Sequence, residues 1–445
     1  MSTTTTEHET PISIESVLFE VQDGIPIEIA PSVLDIDIFE HIDKPYLTAV
    51  LSFVNFDASI DFLSIEGGER ITISLSIVDE YSCRMPSENV FYVDKIIKSE
   101  KIKDDQEQYI LHLIEDIAFL SKTKNINQCY SGNGSDIIKK ISKDHLGRDV
   151  IGIGNLEQEF MKLIVPNMNP IESMHWVKNR LSTKEGFPLY LFSSLLENDL
   201  ELVDLGHLLT QPIINWDIPY MFSESNISRQ DPMGKVQRRT ILSYESRNTS
   251  NMFSLLDKGM IGADYTYIDV TKNKRNRFIF DVESDVNDKF RSTKIAKDVN
   301  VDPLQYEWMR TETPRTKNIT EIGGTSSYRN WDSLSERKDV AAYKSKITSR
   351  SMANILTKDP ILISVNGQDF FNGEDNTSIG RKIRVLFIKN AKIEKGEETD
   401  TDIVFDKKKS GDFLIFACKH SIRQESYTVS MSLVKVDVDT PEVSL

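Results

Sequence analysis

Cysteine is scarce in this 445-residue chain, and the three present, Cys83, Cys129 and Cys418, form no CxxC pair and no metal-ligand spacing. That excludes a disulfide framework or a zinc finger, and predicts structural thiols in a reducing compartment. No stretch approaches the roughly 18 uninterrupted apolar residues of a membrane helix. The opening MSTTTTEHETPISIES lacks both the basic region and the apolar core of a secretory signal. Cytoplasmic synthesis and no membrane span are therefore expected, and the sequons at Asn226, Asn248, Asn318 and Asn376 carry no weight without a secretory route.

Positive charge is also in deficit. Against 69 Asp and Glu stand 53 Lys and Arg, a net −16. Nucleic-acid binding depends on clustered cations that release counterions, so a DNA-holding surface is not expected. An acidic wall repels DNA and would let it pass without retaining it. The acid surplus reads first as solvated surface, part of which can face a ring lumen.

Catalytic signatures are missing as well. The seven histidines, His8, His41, His112, His145, His175, His207 and His420, give no HExxH, no HxH and no pairing with cysteine. There is no GxSxG elbow, and carboxylates are too plentiful to single out a dyad. Cys129-Tyr130-Ser131-Gly132-Asn133-Gly134-Ser135 looks like a phosphate cradle but lacks the Lys-Ser/Thr ending, so it is read as a helix-capping turn. Gly152-Ile153-Gly154 is weaker still. The reading therefore names no catalytic residue, no cofactor-binding residue, no metal ligand and no cofactor, and expects a protein that is not an enzyme.

What is present is globular: 39% hydrophobic and 27% charged residues over a length that suggests two to four domains. Residues 1–11 read as a disordered tail. Period-2 or β-branched runs then predict strands at Ile25–Ala30, Val33–Phe39, Tyr46–Val54, Ile71–Val78, Phe91–Lys98 and Tyr109–Glu115. From about residue 125 the pattern turns mixed. Ser135 can cap a helix to Leu146, and Asn169 with Pro170 at the first helical position opens another lined by Ile171, Met174, Val177 and Leu181. Strands at Leu189–Ser193, Leu200–Leu205, Thr266–Val270 and Arg277–Val282 follow. Residues 283–340 are polar and weakly periodic. A helix at Lys344–Leu356 leads to strands at Ile361–Val365, Lys382–Ile388, Phe413–His420 and Ser426–Val438, with a charged loop at Ile393–Lys409.

The first and last β regions share an order of features. Gly67-Gly68-Glu69-Arg70 leads into one strand and Gly380-Arg381 into another. The pair beginning at Phe91 and Tyr109 has its counterpart in the pair beginning at Phe413 and Tyr427. An internal duplication is expected, with residues 12–120 and 345–438 adopting one fold. Three chains, each with two such units, would close a ring of pseudo-sixfold symmetry.

Three stretches resemble the baseplate central hub proteins of T-even-type contractile-tailed bacteriophages. Ile164-Val165-Pro166-Asn167-Met168-Asn169-Pro170 with Trp176, Arg180 and Pro188-Leu189-Tyr190-Leu191-Phe192 is similar to that family's I-P-N-x-x-P…W-x-x-x-R…Y-x-F-F run, ending here in Phe192-Ser193. Lys258-Gly259-Met260-Ile261-Gly262-Ala263 with Tyr267-Ile268-Asp269-Val270 is similar to its G-M-Y-A…T-Y-D, and Ser410-Gly411-Asp412-Phe413-Leu414-Ile415 with Lys419-His420 to its S-G-x-Y-L-I…K-H. The resemblance implies an α+β, predominantly β protein with two similar tube-forming antiparallel β-barrel domains and a mixed α/β middle domain. The first tube domain is placed at 12–124, the middle domain at 125–235 and 283–344, and the second tube domain at 236–282 and 345–440. It implies a homotrimer joining a sixfold tail tube to a threefold central spike in the virion's tail baseplate. Its partners would be the central spike protein, tail tube or tube-initiator proteins, surrounding baseplate proteins, and DNA or a tape-measure protein passing without specific binding. The alternatives are the hub part of a type VI secretion or related contractile injection system, whose chains continue into an OB-fold and β-helix, and a β-rich glycan-binding or glycan-cleaving protein. The last would need an aromatic platform or a cleft carboxylate pair, for which only four tryptophans are available, Trp176 being read as buried.

The negative reading is directly testable. Elemental analysis of the purified chain is expected to find no stoichiometric zinc or iron, and the isolated chain no turnover of peptidoglycan; stoichiometric metal or turnover would overturn it.

Overall fold

In a computed structural model the described residues are 12–20, 26–56, 65–77, 87–103, 106–154, 156, 160–183, 186–195, 197–215, 219–222, 239–247, 252–270, 273–287, 317–323, 342–357, 359–367, 378–389, 404–406, 409–423 and 426–436. The N-terminal tail, Cys83, most of 283–344 and most of the charged loop at 393–409 lie outside them.

Alternation of apolar and polar residues drives the chain into strands at its beginning. These are β1 (Ile12–Glu20), β2 (Ile27–Glu28), β3 (Val33–His41), β4 (Thr48–Phe56), β5 (Arg70–Ile77), β6 (Ser87–Lys103) and β7 (Gln106–Glu115). In β3 the side chains of Val33, Ile36, Ile38 and Glu40 are buried while their neighbours are not, as a strand with one covered face requires.

A mixed segment follows: α1 (Asp116–Lys122), β8 (Cys129–Asn133), α2 (Gly134–Leu146), β9 (Val150–Ile153), β10 (Phe160–Ile164), α3 (Pro170–Lys178), β11 (Leu189–Ser194), β12 (Glu197–Asp204) and α4 (Leu205–Thr210). It has its own core, in which Ile137, Ile138 and Ile141 of α2 meet Met174 and Val177 of α3 and Leu191 and Leu202 of the small sheet. The remaining elements are β13 (Tyr220–Phe222), β14 (Ile241–Ser246), α5 (Met252–Asp257), β15 (Gly262–Asp269), β16 (Lys274–Asp281), β17 (Lys317–Gly323), α6 (Ala342–Leu356), β18 (Ile361–Asn366), β19 (Lys382–Lys389), β20 (Val404–Phe405), β21 (Gly411–Ile422) and β22 (Tyr427–Lys435).

Both β regions belong to one 14-stranded sheet whose main path runs β14-β18-β22-β21-β3-β4-β7-β6-β5-β1-β2, with β19 also on β21 and β13 on β19. Split between β21 and β3, this path yields two units of the same strand order. In chain order the second unit's strands are β13, β14, β18, β19, β21 and β22, arranged β14-β18-β22-β21-β19-β13; the first unit's are β1, β3, β4, β5, β6 and β7, arranged β3-β4-β7-β6-β5-β1. The expected duplication is thus present in the topology, but not within the bounds expected: β13 (Tyr220–Phe222) and β14 (Ile241–Ser246) of the second unit lie before 345–438. One pairing differs in direction: β1 meets β5 antiparallel, and β13 meets β19 parallel.

The correspondence extends to irregularities. A bulge lies between Val33 and Asp35 of β3 and between Ile241 and Ser243 of β14. Another lies between Val93 and Lys95 of β6 and between Ile415 and Ala417 of β21. Bulges re-aim a strand, so their shared placement fixes the same bend in both units. Gly68 (φ 91°) and Gly380 (φ 76°) stand at the same point, in the left-handed region that glycine tolerates. The N–H of Gly68 donates to the Val93 carbonyl at 2.7 Å and that of Val93 to Glu69 at 3.0 Å; Gly380 and Ile415 repeat the exchange with Ile415 and Arg381 at 3.0 and 2.9 Å.

The architecture is predominantly β; among the described residues no strand ladder closes either unit into a barrel, and the two ends of the second unit meet in the isolated bridge between Met221 of β13 and Thr240 just before β14. The hairpin β15–β16 stands outside the large sheet, in a three-stranded sheet with β17 running parallel to β15. Of Ile25–Ala30, expected as a strand, Ile25 lies outside the described residues, and among 26–30 only Ile27 and Glu28 pair; the Glu28 carboxylate accepts the N–H groups of Val17 and Ala30, and Pro31 sits in a 3₁₀ turn. Strand β1 was not singled out by the sequence pattern, and Cys129–Asn133, expected as a turn, is a strand paired with β10.

Replacing Gly380 by Ala places a Cβ at a φ of 76° and 3.1 Å from Leu208 Cδ2. Gly147, at φ 70°, has open space around it. Gly147→Ala is expected to cost about 1 kcal/mol of stability from backbone strain alone, and Gly380→Ala more than that. Thermal melting of the two variants checks the order; equal midpoints would contradict it.

Candidate functional site

The junction between the two units is the best-built polar site among the described residues. Residues Ala417–Ile422 of β21 pair antiparallel with Ile36–His41 of β3. Beyond the bulge at Phe416, β21 leaves its partner in its own unit, β19, and takes up β3 instead. One strand is thereby shared.

At the centre of this seam His420 and Glu40 are fully enclosed, with Nε2 2.9 Å from Glu40 Oε2. A carboxylate only accepts, so the ring's Nε2–H donates there. His420 Nδ1 pairs with the Tyr427 hydroxyl at 2.9 Å, and the other Glu40 oxygen accepts the N–H of Leu195 from the turn after β11. The network therefore ties together both β units and the middle segment. At its edge, Lys419 bridges to Asp37 at 2.7 Å, and the Ser421 hydroxyl donates to the same carboxylate at 2.6 Å.

Glu40, Cys418 and His420 bring ligand-type atoms within 4.8 Å of one another. The sequence reading named no metal ligand, and these three are remote in sequence. The donor set argues for a hydrogen-bonded network: His420 uses both ring nitrogens, Glu40 both oxygens, and burial with the nearby Glu40 charge pushes the Cys418 thiol well above its usual pKa. Burial, with Cys418 and Glu40 beside it, likewise raises the Tyr427 hydroxyl.

A second buried carboxylate lies where β7 passes into α1. Glu115 accepts the Leu47 N–H at 2.6 Å, with Arg148 3.5 Å away; Arg148 also donates to Asp116 at 2.9 Å. Burial outweighs these contacts and raises Glu115 from 4.5 to about 7. Lys178 of α3 is buried against Asp43. Near it a cavity of about 400 Å³ is lined by His41, Asp43, Tyr190, Asn354 and Phe416 among others. Burial lowers the His41 pKa there and raises that of Tyr190.

The motifs weighed in the sequence take structural roles. Asn169 caps α3, its side chain accepting the Glu172 N–H at 2.8 Å, with Pro170 in the first turn. Ser135 does not cap α2; the helix begins at Gly134, where a Cβ would fall 2.2 Å from Leu181 Cδ2 and would have to displace that side chain. Gly154 answers a similar need, a Cβ there falling 2.0 Å from Asp204 Oδ2. Trp176 is only partly buried, with the Arg180 guanidinium 3.8 Å over its ring. His112 of β7 lies 3.2 Å from Asp94. The Glu40–His420 pair went unseen because 380 residues separate its members; its one local signal was a charged residue at an inward position of β3.

No protein-family model and no curated protein sequence matches the chain. In fold it is similar to the 43 kDa tail protein of prophage MuSo2 from Shewanella oneidensis, with a TM-score of 0.52 and 10% identity over 95% of this chain and 98% of that one. It is similar also to the tail protein from Neisseria meningitidis MC58, with a TM-score of 0.51 and 12% identity over 95% and 96%. The fold is thus shared with these two tail proteins. None of the described helices is long and apolar enough to cross a membrane.

The raised Glu115 sets a pH dependence. The native state holds a proton that the unfolded chain releases above 4.5, so its contribution is complete below 4.5 and is lost as pH rises through about 7. Wild type is expected to lose stability relative to Glu115→Gln across that window, by at most about 3 kcal/mol. Parallel thermal melts at about pH 5 and about pH 8 check this; a constant difference would contradict it.

Proposed function

We propose that this protein is the structural baseplate hub of a contractile phage tail, a trimeric ring with pseudo-sixfold symmetry. It joins a sixfold tail tube to a threefold central spike and leaves a channel for DNA. The observation that carries the reading is the presence, in one chain, of two β units with the same strand order, the same bulges and the same glycine turn. A closed ring needs repeated equivalent interfaces, and two equivalent units per chain let three chains offer six. The fold shared with two tail proteins supports the setting.

In this reading the chain is not an enzyme and carries no cofactor; it is built to hold other parts in place. Its partners are two further copies of itself, the central spike protein, tube or tube-initiator proteins, and surrounding baseplate proteins. DNA or a tape-measure protein passes through without being bound. The net −16 accords with a passage that repels the polyanion. The division into tube domains at 12–124 and at 236–282 with 345–440, around a middle domain at 125–235 and 283–344, belongs to the same proposal, with the β15–β16–β17 sheet standing beside the large one.

Mass measurement of the purified protein in solution, with a ring count by electron microscopy, tests it. Three copies per ring, with the two β units alternating about one channel, are expected. Six copies of the chain in the ring, or a monomer at every concentration, would sink the proposal.

A further inference from the structure

The cavity near Lys178 lies where three parts of the chain converge. His41 and Asp43 come from the end of β3 and the turn after it, Tyr190 from β11 of the middle segment, and Asn354, Phe416 and Ser432 from α6, β21 and β22 of the second β region. At about 400 Å³ it falls within the span of small-molecule sites, roughly 300–1,000 Å³.

Its polar groups are left with hydrogen bonds to make. Tyr190 is only 4% exposed, and its hydroxyl has no hydrogen-bond partner. A buried hydroxyl without a partner costs free energy, and this side chain lines a space from which a ligand can supply one. His41 Nδ1 accepts the Asp43 N–H at 3.0 Å, and burial keeps the ring neutral by lowering its pKa, so its Nε2–H is left to donate. Asp43 meets Lys178 through Oδ1, which leaves Oδ2 to accept. The Asn354 amide nitrogen donates to the Arg350 carbonyl at 2.8 Å, which leaves Oδ1 to accept. Ser432 adds a hydroxyl that can do either.

Charge and shape narrow the occupant. Asp43 carries the one formal charge among the lining residues, and buried Lys178 cancels it. An anion would meet a carboxylate, and a cation would compete with an ammonium already in place. A wholly apolar molecule would leave the Tyr190 hydroxyl and the Asp43 and Asn354 oxygens unpaired. What fits is a neutral molecule whose hydroxyls both donate and accept, with an apolar side for the aromatic rings. Phe416 stands edge to face with His41, centroids 5.3 Å apart, and with Tyr190 at 5.8 Å, forming an apolar corner. A pyranose has both surfaces, hydroxyls round its rim and a face of C–H groups.

We propose that this cavity is a binding site for a neutral sugar, holding one pyranose ring with its hydroxyls on Tyr190, Asp43, His41 and Asn354 and its C–H face against Phe416. The Tyr190 hydroxyl sets the specificity, because a buried polar group that only the ligand can pair discriminates against molecules that cannot pair it. Asp43 has no second carboxylate beside it among the lining residues, so the site binds and does not cleave. The site does not depend on the ring reading.

The test uses the full-length protein with D-glucose, D-galactose and N-acetyl-D-glucosamine, by saturation-transfer NMR and thermal melting. Tetramethylammonium chloride and sodium acetate serve as cationic and anionic probes. At least one of the three sugars is expected to bind in the millimolar range and to raise the melting temperature as its concentration rises. Tyr190→Phe removes a hydroxyl that leaves no partner behind, so stability is expected to hold while sugar affinity falls by up to about tenfold. Asn354→Ala, at the partly exposed end of α6, is expected to weaken binding several-fold, and it keeps the test decisive if Tyr190→Phe fails to fold. No binding of any of the three sugars at tens of millimolar would overturn the proposal. So would sugar binding that neither substitution alters, which would place the sugar elsewhere. Binding of tetramethylammonium or acetate without any sugar would make the cavity an ion site and overturn it too. None of these outcomes changes the ring count, which tests the hub reading separately.

Discussion

The antiparallel ladder between β21 and β3 is the interaction on which the rest of the fold depends. A β unit left with an open edge exposes a row of unpaired N–H and C=O groups, and this chain closes one such edge by lending a strand from its other unit. The loan works because β21 is bulged at Phe416 and can turn from β19 to β3 without ending. Burying Glu40 in that ladder would be costly without partners. His420 and the Leu195 N–H satisfy it, Tyr427 holds the other His420 nitrogen, and together they draw the last strands and the middle segment onto the same point.

The two units agree least in their apolar residues and most in their punctuation. Gly68 and Gly380 share a positive φ and the same pair of backbone hydrogen bonds, and the bulges recur at matching places, while the packed side chains vary. Sheet curvature comes from where the ladder is interrupted, so these interruptions must repeat if the units are to be interchangeable around an axis. Core positions need only the right volume.

That difference explains what could be read from the sequence. Gly67-Gly68-Glu69-Arg70 and Gly380-Arg381 announced the repeat because a glycine turn leaves a local signature, and Phe91 and Phe413 proved to be equivalent residues. Asn169-Pro170 announced α3 for the same reason. Strands β8 and β10 and the parallel placement of β9 on β12 were not legible, since such short segments hold their shape through partners that are distant or out of pattern. The glycines at 134 and 154 looked like phosphate-loop residues; close approach of Leu181 and Asp204 side chains is their reason. The seam network was invisible because nothing near Glu40 in sequence points to His420.

A shared sheet makes the two units a single folding unit at their junction. Native-state hydrogen exchange measures this most directly, because seam amides can exchange only when β21 leaves β3. The account predicts that amides of Ile36–His41 and Ala417–Ile422 rank with the most protected in the protein and open together, and that His420→Ala lowers the protection of both strands in step. Fast exchange across the seam while each unit's interior stays protected would contradict it, and would make the chain two β units that merely touch.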